Sequence, residues 1–213
     1  MNFQDTQLIG VLARAESTVS SLSSLLGGLV EKFAARGYSL YLVGGSVRDA
    51  LLGRLGNDLD FTTPARPEVV KEILDEWAET VWDTGIDFGT VSAAYKGQQI
   101  EITTFRSDSY DGQSRNPEVV YGDTLEGDLV RRDFKANAMA IELLADASFK
   151  FHDPLHGLQD IADRVLDTPD KPEISFHDDP LRMLRAARFA SQLEFRVADR
   201  VVEAMRDMAG EIQ

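Results

Sequence analysis

The chain has 213 residues, of which 43% are hydrophobic and 27% are charged, an ordinary balance for a globular protein with a substantial core. It contains no cysteine, which excludes disulfides and thiolate metal sites. Its net charge of −14 argues against an extended nucleic-acid surface, because phosphate contacts need lysine and arginine.

Residues 1–35 carry apolar side chains at helical spacing, including Leu22, Leu26 and Phe33. This pattern predicts a helical leader, made of one or two amphipathic helices that pack against a sheet. The N-terminus shows no basic segment followed by an apolar core, and no apolar run approaches the roughly 20 residues of a membrane span. We therefore expect no membrane contact and a cytoplasmic location.

The stretch from residue 38 to residue 61, YSLYLVGGSVRDALLGRLGNDLDF, is the part around which we expect the chain to be organised. It predicts an apolar strand, a glycine turn, a short helix over residues 47–52 and a second strand. Ser46 is predicted to cap the helix, and Gly53 is predicted to end it in the left-handed conformation.

Gly44 and Gly45 predict a phosphate cradle, since a glycine turn before a helix N-terminus directs backbone N–H groups at open space. Arg48, one turn later, would add a positive charge to the cradle. Asp58 and Asp60 are two residues apart, so on a strand both carboxylates leave one face and can share Mg²⁺ with water and substrate phosphates. Each feature alone is commonly a plain turn or a solvated loop. Together they predict phosphoryl or nucleotidyl transfer.

Two β-rich runs, VSAAY and QQIEITTF, flank a Lys-Gly pair and predict an antiparallel hairpin. On its second strand, Glu101 shares a face with polar neighbours and opposes an apolar face. An acid in such a place is commonly the charge of an edge strand. A role beside the aspartate strand is the alternative interpretation.

Residues 106–127 are polar and contain glycine, which predicts a mobile loop. The following segment, DLVRRDFKANAMAIEL (128–143), predicts a short helix capped by Asp128 and then a strand. Its helix would bear Arg131, Arg132, Asp133 and Asn137. Adjacent arginines and an aspartate at a helix end are commonly solvated, so these residues alone leave their role open.

In the segment DDPLRMLRAARF, Asp179 precedes a proline and is predicted to cap a helix. Arg182, Arg185 and Arg188 follow at three-residue steps along one broad side. One interpretation is a surface helix with ion pairs worth ~0.2–0.5 kcal/mol each. The other is that a fixed pair of Asp179 and Arg182 presents acceptors and donors in one plane and reads the edge of a nucleotide base.

VGGSVRDALLG followed by NDLDF resembles motif A of the class II tRNA nucleotidyltransferases and bacterial poly(A) polymerases, which belong to the DNA polymerase β-like nucleotidyltransferase superfamily. RRDFKANA resembles their motif B, usually RRDFTxNA, with Lys135 and Ala136 as departures. FHDPLHGLQDIADRVLDTP resembles their connection from head to neck. DDPLR resembles their motif D, EDxxR, with Asp178 in place of the usual glutamate.

The resemblance implies a set of site residues. Asp58, Asp60 and Glu101 would be the catalytic carboxylates, with two Mg²⁺ ions on Asp58 and Asp60. The loop at 106–127 would influence which nucleotide is added. The implied nucleotide-binding residues are Gly44, Gly45, Arg48, Arg132, Asp133, Asp179, Arg182, Arg185 and Arg188.

The implied fold is α/β (α+β), a polymerase β-like nucleotidyltransferase head with a mixed sheet and flanking helices, followed by the start of a helical neck. We place the leader at residues 1–35, the head at 36–165 and the neck at 166–213, with unbroken helix from residue 191 onwards. Family members continue through a body and tail that hold tRNA, and we expect this chain to lack both. Exposed neck surface would then be buried in a partner or an oligomer.

The implied function is template-independent addition of CCA to the 3′ end of tRNA, with CTP and ATP as substrates. Poly(A) addition and a non-catalytic nucleotide-binding module of the same fold are the alternatives. A protein-modifying or antibiotic-modifying nucleotidyltransferase lacks support from the motif D helix. The arginines late in the chain would give a positive cleft in an acidic body, which suits a nucleoside triphosphate better than a long duplex.

Overall fold

The computed structural model describes residues 3–107 and 120–212. Its helices are α1 (Phe3–Ala35), α2 (Gly44–Leu51), α3 (Pro67–Asp75), α4 (Leu125–Val130), α5 (Gly157–Asp163), α6 (Pro172–Asp178), α7 (Leu181–Leu193) and α8 (Asp199–Met208). Its strands are β1 (Leu40–Val43), β2 (Asp58–Thr63), β3 (Thr80–Trp82), β4 (Thr90–Tyr95), β5 (Gln98–Thr104), β6 (Arg106–Ser107), β7 (Val120–Tyr121), β8 (Ala140–Leu143), β9 (Phe149–His152), β10 (Val165–Leu166) and β11 (Arg196–Val197). Short 3-10 turns cover Ile86–Phe88, Lys135–Asn137 and Ala209–Glu211.

A seven-stranded mixed sheet, in the order β3-β4-β5-β2-β1-β8-β9, forms the centre of the described structure. Its neighbouring strands are antiparallel except β2 and β5, which are parallel because the chain crosses over through α3 and returns along β4 before entering β5. The predicted hairpin is β4–β5, and its turn residues Lys96 and Gly97 both have positive φ. The predicted architecture, a mixed sheet with flanking helices, is confirmed.

The predicted leader is one helix, α1, which packs on α2, α3 and α5. Leu26, Leu29 and Phe33 are fully buried in the main hydrophobic core, so its apolar face is the expected core-facing one. No helix within residues 3–107 or 120–212 combines the length and the apolar character that a membrane span requires.

The predicted loop over residues 106–127 is only partly a loop. Strands β6 and β7 pair near its two ends, and α4 takes up its last residues. The cap of α4 is Thr124, whose hydroxyl accepts the N–H of Gly127 at 3.2 Å. Asp128, predicted as the cap, instead lies buried inside α4. Residues 108–119 lie outside the described residues, so their mobility stays a prediction.

The expected unbroken helix after residue 191 is wrong. Helix α7 ends at Leu193, Glu194 takes a φ of +56°, and the buried side chain of Phe195 turns into the main core. Strand β11 then pairs in parallel with β10 before α8 begins. The apolar residues on either side of Glu194 imitate helical spacing, but the burial of Phe195 requires the chain to turn there. The last residue, Gln213, lies outside the described residues.

Candidate active site

A cleft of about 420 Å³ opens between the sheet and helix α7. A volume of this order is suited to a small molecule such as a nucleotide. Its lining carries six arginines against four acids, which confirms the predicted positive cleft in an acidic body. Of the described residues, those that line it are Val43, Gly44, Gly45, Arg48, Asp60, Phe61, Glu101, Thr103, Arg106, Arg131, Arg132, Asp133, Asn137, Asp179, Arg182, Arg185 and Phe189.

The three predicted catalytic carboxylates lie on adjacent strands of the sheet. Asp58 and Asp60 are on β2, and the parallel register pairs Asp60 with Glu101 on β5. Strand alternation puts all three on one face. Because β5 has β4 on one side and β2 on the other, it is an interior strand, and the edge-strand interpretation of Glu101 is wrong.

Asp60 opens onto the cleft, but the surrounding walls displace enough water that burial raises the pKa of its carboxyl group. The charge of Glu101 raises this pKa further, Arg132 lowers it, and Asp58 adds a smaller increase. Acids crowded in this way are stabilised by a cation placed between them.

The arrangement of these acids limits the kind of metal site they can form. Within the described residues, no group of three or more His, Cys, Asp or Glu side chains is arranged to hold a metal ion. Mg²⁺, however, commonly takes one or two carboxylates and completes its shell with water and substrate phosphates. Asp60 lines the arginine-rich cleft, and Asp58 lies two residues away on the same strand face but outside the described lining. The pair fits that donor set, whereas an all-protein metal cage does not fit.

Gly44 and Gly45, the first two residues of helix α2, form part of the wall of the cleft. Helix α2 begins at Gly44, three residues earlier than predicted, so the N-terminus of the helix lies at the cleft. Gly44 has a φ of +66°, and a Cβ on it would lie 2.9 Å from Nη1 of Arg132. The positive φ favours glycine at this position, and the contact would displace the flexible end of Arg132. At the other end of the helix Gly53 has a φ of +71°, as predicted.

Ser46, predicted as the helix cap, has a different role. It lies inside α2, and its Oγ accepts the backbone N–H of Asp60 at 2.9 Å. The same hydroxyl donates to the carbonyl of Asp58 at 3.4 Å. Ser46 therefore ties the start of α2 to the strand that carries the predicted catalytic aspartates.

Arg48 lies buried at the base of the cleft. Its guanidinium donates to both carboxylate oxygens of Asp49, at 3.0 and 2.9 Å, and to Oδ1 of Asn137 at 2.6 Å. The amide of Asn137 in turn donates to Asp133 at 3.0 Å. Arg48 thus supplies the predicted positive charge in a fixed orientation.

Three further arginines line the cleft: Arg106, Arg131 and Arg132. We call them the arginine wall. Asp128 lies behind it with no exposed surface. Burial alone would raise the pKa of Asp128, but the neighbouring Arg132 and Arg131 outweigh burial and hold that pKa below its ordinary value. Asp128 is therefore a buried carboxylate at neutral pH.

Helix α7 brings the predicted base-reading residues to the cleft. The carboxylate of Asp179 accepts the N–H of Leu181 at 3.0 Å, but the cap residue of α7 is Pro180, so the predicted capping role of Asp179 is wrong by one residue. Arg182 donates to Ser175 Oγ at 2.8 Å and to the carbonyl of Arg131 at 2.7 Å. Asp179 and Arg182 thus share the cleft, but the contacts that hold them run to other groups and not through the predicted fixed pair.

The other two arginines of α7, Arg185 and Arg188, differ in their position relative to the cleft. Arg185 lines the cleft and donates through Nε to Asp133 at 2.8 Å. Arg188 lies outside the described cleft lining, with its guanidinium 4.8 Å from the ring centroid of Phe189. The predicted nucleotide contact of Arg188 therefore has less geometric support than that of Arg185.

Lys135, the departure in motif B, makes an ion pair between distant segments. Its Nζ lies 2.7 Å from one carboxylate oxygen of Asp167, and Nε of Arg200 lies 2.7 Å from the other. Burial alone would raise the pKa of Asp167, but hydrogen bonds from Arg200 and Lys135 hold it below its ordinary value. Lys135 thus joins the motif B turn to helix α8.

Sequence reasoning missed several residues of the cleft as site residues: Thr103, Arg106, Arg131, Asn137 and Phe189. Strand alternation from Glu101 would have indicated Thr103, and helical spacing of four from Arg185 would have indicated Phe189. Arg131 is one of the late arginines that predict the positive cleft, whereas Arg106 reaches the cleft through long-range packing, for which the sequence carries no local signal.

Comparison with known proteins decides the family. Residues 40–167 match the family model described as the poly(A) polymerase head domain, which covers more than half of the chain. The chain belongs to this family. The matched range contains the glycine turn, the strand carboxylates and motif B, so it contains most of the cleft.

Proteins similar to this poly(A) polymerase head-domain protein include the CCA-adding enzyme of Lactobacillus helveticus, 43% identical over 172 residues. The match covers 80% of this chain and 41% of the relative, so the chain spans less than half of that relative's length. The crystal structure of the Bacillus stearothermophilus CCA-adding enzyme in complex with CTP matches at 35% identity with a TM-score of 0.74, over 90% of this chain and 45% of that one. A tRNA nucleotidyltransferase complexed with a primer tRNA and an incoming ATP analog matches at 30% identity with a TM-score of 0.71, over 86% of this chain and 50% of that one.

Proposed function

We propose that this chain carries the catalytic and nucleotide-selecting part of a CCA-adding tRNA nucleotidyltransferase, with CTP and ATP as substrates. The observation that carries the proposal is the cleft itself, in which Asp60, Glu101, Asp179 and Arg182 line one space together with further arginines. Relatives named CCA-adding enzymes, and similar structures that hold CTP or tRNA with an ATP analog, support it.

We divide the chain as predicted, with the head at residues 36–165 and the neck from residue 166. The proposal includes a cytoplasmic location.

The reaction joins the terminal 3′ oxygen of the tRNA to the α-phosphorus of the nucleotide. The bond from that phosphorus to the bridging oxygen breaks, pyrophosphate leaves, and the hydroxyl proton is released to water. Asp58 and Asp60 would hold Mg²⁺, which when bound supplies charge stabilisation for the attacking and leaving oxygens. Glu101 completes the acidic strand face that confronts the reacting phosphate.

The remaining residues bind and orient the nucleotide. The first N–H groups of α2 and the arginine wall hold the triphosphate, because both present donors to the same cleft. Asp133, held by Arg185 and Asn137, would accept a hydrogen bond from the ribose, which is the role that the motif B resemblance implies. Asp179 and Arg182 read the base with one acceptor group and one donor group.

The test is incorporation of labelled CTP and ATP into a tRNA that lacks its 3′ CCA. Asp58→Ala is expected to abolish transfer and to leave nucleotide binding measurable, whereas Asp179→Ala is expected to weaken nucleotide binding and base selection. Full turnover by Asp58→Ala would show that the metal assignment is wrong.

Poly(A) addition is the second candidate, because the matching family carries that name. The length of the product separates the two. Addition that stops after three nucleotides supports CCA addition, and continued addition of AMP supports poly(A) synthesis. A chain that binds CTP and transfers nothing to either RNA would be a nucleotide-binding module.

A further inference from the structure

Asp128, behind the arginine wall, is a buried acid that the proposed chemistry does not use. It has no exposed surface and lies in the middle of α4. Its Oδ1 accepts from Nε and Nη2 of Arg131, at 3.3 and 3.2 Å, and from the backbone N–H of Arg106 at 3.2 Å. Its Oδ2 accepts from Nη2 of Arg132 at 2.8 Å.

All three residues that donate to Asp128 line the cleft. The side chains of Arg131 and Arg132 are 17% and 20% exposed, so each guanidinium is held from behind and still reaches the cleft. The carbonyl of Arg131 also accepts from Arg182, which extends the same contact to the base-reading helix. Asp128 therefore contacts all three residues of the arginine wall and does not itself line the cleft.

Two adjacent guanidinium groups repel each other, and an arginine side chain has many rotamers to lose when it binds phosphate. A buried carboxylate between them removes both penalties in advance, because it neutralises the pair and holds both planes in place. A bound triphosphate then meets donors that are already oriented.

We propose that Asp128 is a positioning residue that holds Arg131 and Arg132 in place for the phosphates of the bound nucleotide. Its contact with the backbone N–H of Arg106 also holds the start of β6 beside these two arginines. This inference rests on the proposed nucleotide site and assigns a role to a residue that touches no substrate. It predicts that the effect of Asp128 on binding passes through the two arginines.

The experiment measures the Kd of CTP with Mg²⁺ by calorimetry on the full chain, together with CTP incorporation into tRNA. Asp128→Asn keeps the shape and removes the charge, and is expected to raise the Kd on the order of 10-fold. In the Arg132→Ala background the same change is expected to raise the Kd by much less, since one of the two groups it positions is already absent.

Thr124→Ala is the matched control, because it removes the cap of the same helix without touching the arginines. It is expected to lower the thermal stability and to leave the Kd unchanged. Asp128→Glu, which keeps the charge and displaces the arginines by one methylene, is the second variant if Asp128→Asn folds poorly. Its Kd is expected to lie between those of wild type and Asp128→Asn.

Two outcomes would overturn the inference: a CTP Kd in Asp128→Asn or Asp128→Glu that matches Thr124→Ala, or an equal effect of Asp128→Asn with and without Arg132. Failure of the proposed function looks different. Wild-type protein that binds CTP but transfers nothing to tRNA overturns CCA addition alone and leaves the binding comparison intact.

Discussion

The carboxylate of Asp133 accepts a hydrogen bond from Nε of Arg185 at 2.8 Å, and this contact joins the motif B turn to helix α7 across the cleft. The other oxygen of Asp133 accepts from Asn137 at 3.0 Å, and Asn137 accepts from Arg48 at 2.6 Å. One line of polar groups therefore runs from helix α7 to helix α2. We expect this line to couple the position of α7 to the proposed phosphate cradle at the start of α2.

Arg185→Ala tests this coupling. The variant leaves Asp133, whose side chain is only 7% exposed, without its cation. We expect a loss of about 1–2 kcal/mol in the free energy of unfolding and weaker binding of CTP and ATP, because a buried carboxylate without a partner is costly. Denaturant unfolding and calorimetry measure the two effects.

Arg188→Ala is the control for that prediction. Arg188 approaches the same Phe189 ring, at 4.8 Å against 5.2 Å for Arg185, but it lies outside the described cleft lining. We expect a change in stability within about 0.5 kcal/mol and unchanged nucleotide binding. If Arg188→Ala lost as much stability and as much CTP affinity as Arg185→Ala, the result would contradict the coupling. It would also support the nucleotide contact implied for Arg188.

Gly44→Ala is expected to impair the phosphate cradle. The φ of +66° costs a residue with a Cβ roughly 1–2 kcal/mol, and that Cβ would lie 2.9 Å from Nη1 of Arg132. Because the arginine end is flexible, the guanidinium will move away, and the CTP affinity should fall along with the stability. Thermal unfolding and CTP binding report the two separately.

Gly53→Ala matches that change at the other end of the same helix. Gly53 has a similar φ of +71°, but its Cβ would meet Arg14, away from the cleft. The expected result is a comparable loss of stability with unchanged CTP affinity. A fall in affinity in both variants would mean that backbone strain, and not the contact with Arg132, disturbs the cradle.

Asp160 predicts a pH dependence of stability. Burial, reinforced by Asp167, Asp153 and Asp163 and opposed by Lys135, raises the pKa of its carboxyl from 3.8 to about 6. One of its oxygens has no hydrogen-bond partner among the described residues. An acid whose pKa rises on folding favours the folded state when protonated, so its contribution is full below the unfolded pKa and is lost as the pH rises through about 6.

Asp160→Asn should therefore raise the free energy of unfolding at pH 7.5 by roughly 1 kcal/mol, a modest figure because the half-exposed group is partly screened by solvent. Near pH 4 the change should be small. Asp163→Asn is the control on the same helix, since Asp163 is exposed and its carboxylate accepts from Gln159. Denaturant unfolding at the two pH values measures the change in the free energy of unfolding. A larger gain from Asp160→Asn at pH 4 than at pH 7.5 would contradict the predicted pH dependence.

The pKa of Asp60 should lie above the ordinary value of an aspartate, because burial and then Glu101 raise it. Glu101→Gln should lower this pKa towards the ordinary value, and Arg132→Gln should raise it further, since Arg132 opposes the other two effects. Carboxyl ¹³C chemical shifts against pH measure both changes without requiring catalysis. Shifts of the same sign in the two variants would contradict the proposed arrangement of charges.

Much of this protein follows from local sequence. The junction of β1 and α2 at Gly44, the paired acids Asp58 and Asp60 on one strand and the hairpin that carries Glu101 are present as predicted, although α2 begins three residues early. Strand alternation and glycine's access to positive φ are local properties. The resemblance of the motifs to the poly(A) polymerase head-domain family was likewise readable from the residues in order.

Tertiary structure alone decided what each polar side chain does. Ser46 and Asp128 both look like helix caps in the sequence, yet one ties α2 to β2 and the other holds the arginine wall, because their partners come from other segments of the chain. The turn at Glu194 depends on the burial of Phe195 in a core built by distant elements. Local pattern therefore determined which residues could form strands, turns and charges, and long-range packing determined which of those charges meet.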